Sequence, residues 1–103
     1  MKTTAKSGIT KFINACLNNG LNQFVCSPGS RNAPLIIALD EHPDVKTIVI
    51  HDERSAAFYA LGMALELKSP VAVVCTSGSA MLNYYPAVAE AYYQSIPLVV
   101  ISA

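Results

Sequence analysis

VAVVC, residues Val71–Cys75, is an unbroken apolar run, and LVVIS, residues Leu98–Ser102, nearly repeats it. A strand with one wet face alternates apolar and polar residues. Runs without alternation are expected where helices cover both faces of a parallel sheet. Working outward from VAVVC, two further short strands are predicted upstream, Gln23 to Cys26 and the β-branched KTIVIH of Lys46 to His51.

The intervening segments read as helices. Thr3 or Thr4 is placed to cap a first helix whose apolar face is Ile9, Phe12, Ile13, Cys16 and Leu17, with Gly20 as its left-handed terminator. Ala33 to Asp40 predicts a second helix. Asp52 and Glu53 open a third, with Ala56, Ala57, Ala60, Leu61, Ala64 and Leu65 along one face, and Ala80 to Tyr93 predicts a fourth. Small alanines let a helix lie close on a sheet. Helices alternating with strands imply an α/β fold, a doubly wound and mostly parallel sheet flanked by helices. The chain stops just after a strand, so it is expected to be a truncated piece of a longer protein.

A chain of 103 residues fits one domain, able to bury roughly 65% of its unfolded surface. Its 52% hydrophobic and 14% charged content suggests a well-covered sheet, or a surface partly hidden by partners. Zero net charge favours neither nucleic acid nor an anionic membrane. No apolar run approaches the ~20 residues of a membrane span, and MKTTAKSGITKF has no secretory apolar core. Cys16, Cys26 and Cys75 lie far apart in apolar segments without CxxC spacing, as buried reduced thiols of a cytoplasmic protein would.

In open parallel sheets ligands bind outside the carboxyl ends of the strands. SPGSRN, HDE and TSGSA all follow strands, so one edge gathers their polar residues. Gly29, Ser30 and Arg31 ahead of a helix suit a carboxylate or phosphate, although a Pro-Gly turn with a solvated arginine fits equally well. Glu53 and Asp52 are first of all helix-opening acids, which stabilise a helix N-terminus by ~0.3–1 kcal/mol. His51 reads as a strand-end residue facing a neighbour. Tyr84, Tyr85, Tyr92 and Tyr93 read as packing or interface residues on one helix. GxSxG, GxGxxG and GxxxxGK[ST] are absent, and His42 and His51 make no metal-ligand spacing.

Taken in order, SPGSRNAPL, HDERSAAFYALGMAL and VCTSGSAMLNYYPAVAEAYYQSIPLVVISA resemble the N-terminal pyrimidine-binding domain of thiamine-diphosphate enzymes, across about 100 residues. SPGSR and the paired tyrosines of NYYPAV are similar to the branch that joins 2-oxoglutarate to isochorismate in menaquinone biosynthesis. The resemblance implies that residues 1–103 are the N-terminal part of that domain in a transferase. It implies that Glu53 is the carboxyl that activates the cofactor by hydrogen-bonding a ring nitrogen of its aminopyrimidine. Ser30 and Arg31 would then hold substrate carboxylates, and Pro28, Thr76, Ser77, Gly78 and Asn83 would line the cofactor.

The family's GDGS-type loop and downstream asparagine, which bind diphosphate and Mg²⁺ or Mn²⁺, are not in this sequence. The implied site lies between subunits of a homo-oligomer, so this chain supplies half of it and is expected to be inactive alone. Two readings stay open beside this one. They are another thiamine enzyme, of acetolactate synthase or 2-oxo acid decarboxylase type, and a non-catalytic anion-binding α/β module.

Overall fold

The computed structural model describes residues 7–29, 31–76 and 79–102. Helix α1 (Ser7–Asn18) leads into β1 (Gln23–Cys26), α2 (Ala33–Glu41), β2 (Lys46–Val49), α3 (Glu53–Leu67) and β3 (Val71–Cys75). A short α4 (Ser79–Leu82), α5 (Tyr85–Gln94) and β4 (Leu98–Ser102) complete the described chain. The proposed caps Thr3 and Thr4 lie outside the described residues. Gly20 adopts φ +80°, as a left-handed helix terminator does.

All strand pairs are parallel and the sheet order is β2-β1-β3-β4. The alternation of side chains along β1 and β3 divides the core in two. Phe24, Cys26, Ala72 and Val74 pack under α1 and α2, whereas Val25, Val71, Val73 and Cys75 pack under α3 and α5. VAVVC is buried at every position, as its composition requires.

LVVIS departs from that expectation. β4 is only half-buried, because it is a sheet edge with Val99 and Val100 exposed on opposite faces. In α3 the alanines 56, 57, 60 and 64 are fully buried, but Leu65 faces outward at the margin of the stripe. The helix expected over Ala80 to Tyr93 is two helices. Pro86 lacks an N–H and its ring would strike the carbonyl four residues earlier, so the chain breaks at Asn83–Tyr84 and restarts with Pro86 in the first turn of α5.

α3 and α5 end alike. Lys68 and Ser95 take left-handed conformations, at φ 55° and 56°, each two residues ahead of a proline that admits the next strand. Ile96 N–H donates to the Ala91 carbonyl at 2.9 Å, closing the α5 terminus.

Candidate functional site

Chain direction reverses its winding between β1 and β3, since β1 pairs with β2 on one side and with β3 on the other. A switch point of this kind is where ligands of open parallel sheets bind, outside the carboxyl ends of the strands. Ser27 N–H donates to the Val74 carbonyl at 2.8 Å, and Ile50 N–H donates to the Cys26 carbonyl at 3.0 Å. The first turns of the three loops are thereby bound to one another.

Two buried polar side chains brace the first loop. Asn32 Oδ1 accepts from Gly29 N–H at 2.8 Å, and Asn32 Nδ2 donates to the Ser27 carbonyl at 3.1 Å. The Ser27 hydroxyl donates to the Ile50 carbonyl at 2.7 Å, tying the first loop to the second. Gly29 lies so close to Thr76 that a Cβ there would collide with the threonine side chain. Glycine is needed at this position for close approach rather than for an unusual φ. Neither Ser27 nor Asn32 was a sequence candidate, because each looks locally like an ordinary turn or capping residue. The spacing of Asn32 from Gly29, three residues, was the available signal.

Glu53 is the first residue of α3 and is half-buried. Asp52 takes the capping role beside it. Its carboxylate accepts from Ser55 N–H at 2.9 Å and from the Ser55 hydroxyl at 2.7 Å, and these bonds hold its pKa below the usual carboxylate value. The division of labour matters. Asp52 takes the capping bond to Ser55, and among the described residues the Glu53 carboxylate makes no hydrogen bond. His51, by contrast, is exposed beside β2, which ends at Val49 rather than reaching it.

Arg31 is exposed in the turn before α2 and lines a hollow with Ile9, Phe12 and Leu35 on the α1/α2 side of the sheet. Glu53 starts a helix of the opposite layer. The two share a sheet edge but stand on different sides of the switch point. Pro28 is exposed and Thr76 is half-buried, while Asn83 is exposed in the α4–α5 turn and donates its N–H to the Ala80 carbonyl. Ser30, Ser77 and Gly78 lie outside the described residues. Of Tyr84, Tyr85, Tyr92 and Tyr93 only Tyr84 is buried; the other three project outward.

The carboxyl ends of the strands thus carry a helix-opening acid, Glu53, and a close Gly29–Thr76 contact. Residues 6–103 match the family described as "Thiamine pyrophosphate enzyme, N-terminal TPP binding domain", and the chain belongs to that family.

Among its most similar curated relatives are three proteins named 2-succinyl-5-enolpyruvyl-6-hydroxy-3-cyclohexene-1-carboxylate synthase. The one from Christiangramia forsetii is 62% identical over 85% of this chain and 15% of its own length. That from Flavobacterium psychrophilum is 63% identical over 88% of this chain and 16% of its own. That from Desulfotalea psychrophila is 54% identical over 96% and 18%. The chain thus spans about a sixth of the length of the relatives it matches. A benzoylformate decarboxylase from Polynucleobacter necessarius superposes with a TM-score of 0.80, covering 92% of this chain and 18% of that one at 21% identity, and so shares the fold.

Proposed function

We propose that this chain is the pyrimidine-binding part of a synthase that decarboxylates 2-oxoglutarate and adds the succinyl unit to isochorismate. The observation that carries the proposal is the half-buried Glu53, which opens α3 at the carboxyl edge of the sheet while the neighbouring Asp52 makes the capping bonds to Ser55. The high identity to relatives bearing the synthase name supports the choice of substrates.

The described residues suit the pyrimidine half of thiamine diphosphate. The close Gly29–Thr76 contact leaves no room for a side chain at residue 29, and the Glu53 carboxyl is the group able to share a proton with a ring nitrogen. Among the described residues no cluster of histidine, cysteine or acidic side chains suits a metal. On the family resemblance, another domain, contributed by a second subunit of a homo-oligomer, would hold the diphosphate and Mg²⁺ or Mn²⁺.

When bound, thiamine diphosphate supplies the electron sink through which a 2-oxo acid loses carbon dioxide. Glu53 would be the residue that shares a proton with the pyrimidine nitrogen. Asp52 keeps the helix end satisfied so that Glu53 stays available. The Ser27–Ile50 bond fixes the loop that carries both acids. Arg31 would offer a planar cation to a substrate carboxylate. No helix among the described residues is long and apolar enough to cross a membrane.

The test is the full-length protein with thiamine diphosphate, Mg²⁺, 2-oxoglutarate and isochorismate. Product formation is expected, with Glu53→Gln lowering kcat by about 10²–10⁴-fold, the range of a lost proton-transfer group. Consumption of pyruvate in place of 2-oxoglutarate, with isochorismate ignored, would sink the substrate assignment. An unimpaired Glu53→Gln enzyme would remove Glu53 from the mechanism.

A further inference from the structure

Asn32 stands at the N-cap position of α2, where a side-chain oxygen ordinarily accepts from an amide of the first helical turn. It makes no such bond. Its amide turns back into the preceding loop instead, accepting from Gly29 N–H at 2.8 Å and donating to the Ser27 carbonyl at 3.1 Å. The side chain is wholly buried, which is unusual for asparagine, and Ser27 is buried as well.

Both anchors of this clamp are themselves fixed. Ser27 gives its N–H to the Val74 carbonyl at 2.8 Å and its hydroxyl to the Ile50 carbonyl at 2.7 Å, so it is registered against β3 and the loop after β2. Gly29 lies so close to Thr76 that no Cβ fits between them. Asn32 therefore ties the start of α2 to groups that already belong to the carboxyl edge of the sheet. Arg31, the residue just before it, is exposed in the turn that the clamp closes. A buried amide bonded at both ends holds the chain rigidly, because breaking either bond strands a polar group. Capping alone would have needed only an oxygen near the first turn of α2, with no reach to Ser27.

We propose that Asn32 is a positioning residue for Arg31: its buried amide clamps Gly29 and Ser27, so that the guanidinium is presented to a substrate carboxylate from a fixed place at the strand ends. Fixing the loop before substrate arrives removes an ordering cost from binding. The strength of the contact is then set by a side chain that is itself hidden from substrate. This role rests on Arg31 being the carboxylate-binding cation.

The experiment compares wild type, Asn32→Ala, Arg31→Ala and the double variant in the full-length protein with thiamine diphosphate and Mg²⁺. Asn32→Ala is expected to raise KM about 3–10-fold, the effect of about one net hydrogen bond, with kcat changed by less than about twofold. The rise should fall on the same substrate, 2-oxoglutarate or isochorismate, as in Arg31→Ala. In the Arg31→Ala background Asn32→Ala should raise KM no further, because the group it positions is gone. In the cofactor-free protein, amide hydrogen exchange at Gly29 should quicken about 3–10-fold in Asn32→Ala. It should stay unchanged in Asn32→Asp, which keeps the accepting oxygen and loses only the donor to Ser27. Asn32→Asp carries the same kinetic comparison should Asn32→Ala not fold, with a rise in KM expected from the lost Ser27 bond.

An unchanged KM, a loss confined to kcat, or KM effects that add in the double variant would overturn the positioning role. Unchanged Gly29 exchange in Asn32→Ala would overturn the clamp itself. If Arg31→Ala left both KM values unchanged, the carboxylate-binding reading of Arg31 would fall and the positioning role with it, while Gly29 exchange would still decide whether the clamp exists.

Discussion

Cys26, at the end of β1, is fully buried, and burial together with the Asp40 carboxylate pushes its thiol up to about 11 from an ordinary 9.0. The folded state therefore binds a proton that the unfolded state releases between those values. Stability from this group is fully present below pH 9 and is lost as pH rises toward 11, on the order of 2 kcal/mol in all. Cys16, Cys75 and Tyr84, also raised by burial, act in the same direction. Urea unfolding between pH 8 and 10.5 should show a falling midpoint, with a shallower slope in Cys26→Ala. A midpoint independent of pH would refute this. The burial of all three thiols was legible from their apolar neighbours. Glu53 was legible too, as an acid opening an alanine helix after a strand. The bracing by the Ser27 hydroxyl was not, because it bonds a carbonyl 23 residues away on another loop.

At the scale of elements, four strands and the first three helices follow from apolar runs and alanine spacing, with the ends that lie within the described residues displaced by at most a residue or two. The α4–α5 break was also encoded, in Pro86, but the tyrosine and alanine periodicity around it reads as one continuous helix until the proline's missing N–H is weighed. The left-handed ends of α3 and α5 carried no glycine to announce them. Lys68 and Ser95 adopt φ values that crowd a Cβ against the following carbonyl. Ser95→Gly is thus expected to stabilise the fold by up to about 1 kcal/mol, relief of crowding outweighing the extra freedom of the unfolded glycine. Ser95→Val should destabilise it, since a β-branched side chain tolerates this conformation worst. Thermal melts of the two variants separate the cases, and a lower Tm for Ser95→Gly would count against the account.

For the molecule as a whole, the decisive feature is asymmetry of cover. β2 and β4 are the edges of the sheet, yet β4 carries one of the most apolar sequences in the chain and remains half-exposed on both faces. Leu82, Tyr85, Tyr92 and Tyr93 extend that surface along α4 and α5, each more than two-thirds exposed. Isolated apolar side chains on a surface are ordinary. A strand edge of valines beside such a group is not, because it offers both unpaired backbone groups and apolar area to a second chain. The 103-residue chain on its own is accordingly expected to self-associate at micromolar concentration, giving a sedimentation-velocity profile heavier than a monomer. Val99→Lys puts a charge on the edge strand without touching the buried core, so it should shift that profile toward monomer while leaving the far-UV circular dichroism unchanged. A sharp monomer peak for the unaltered chain would show that β4 and the tyrosine face do not drive association.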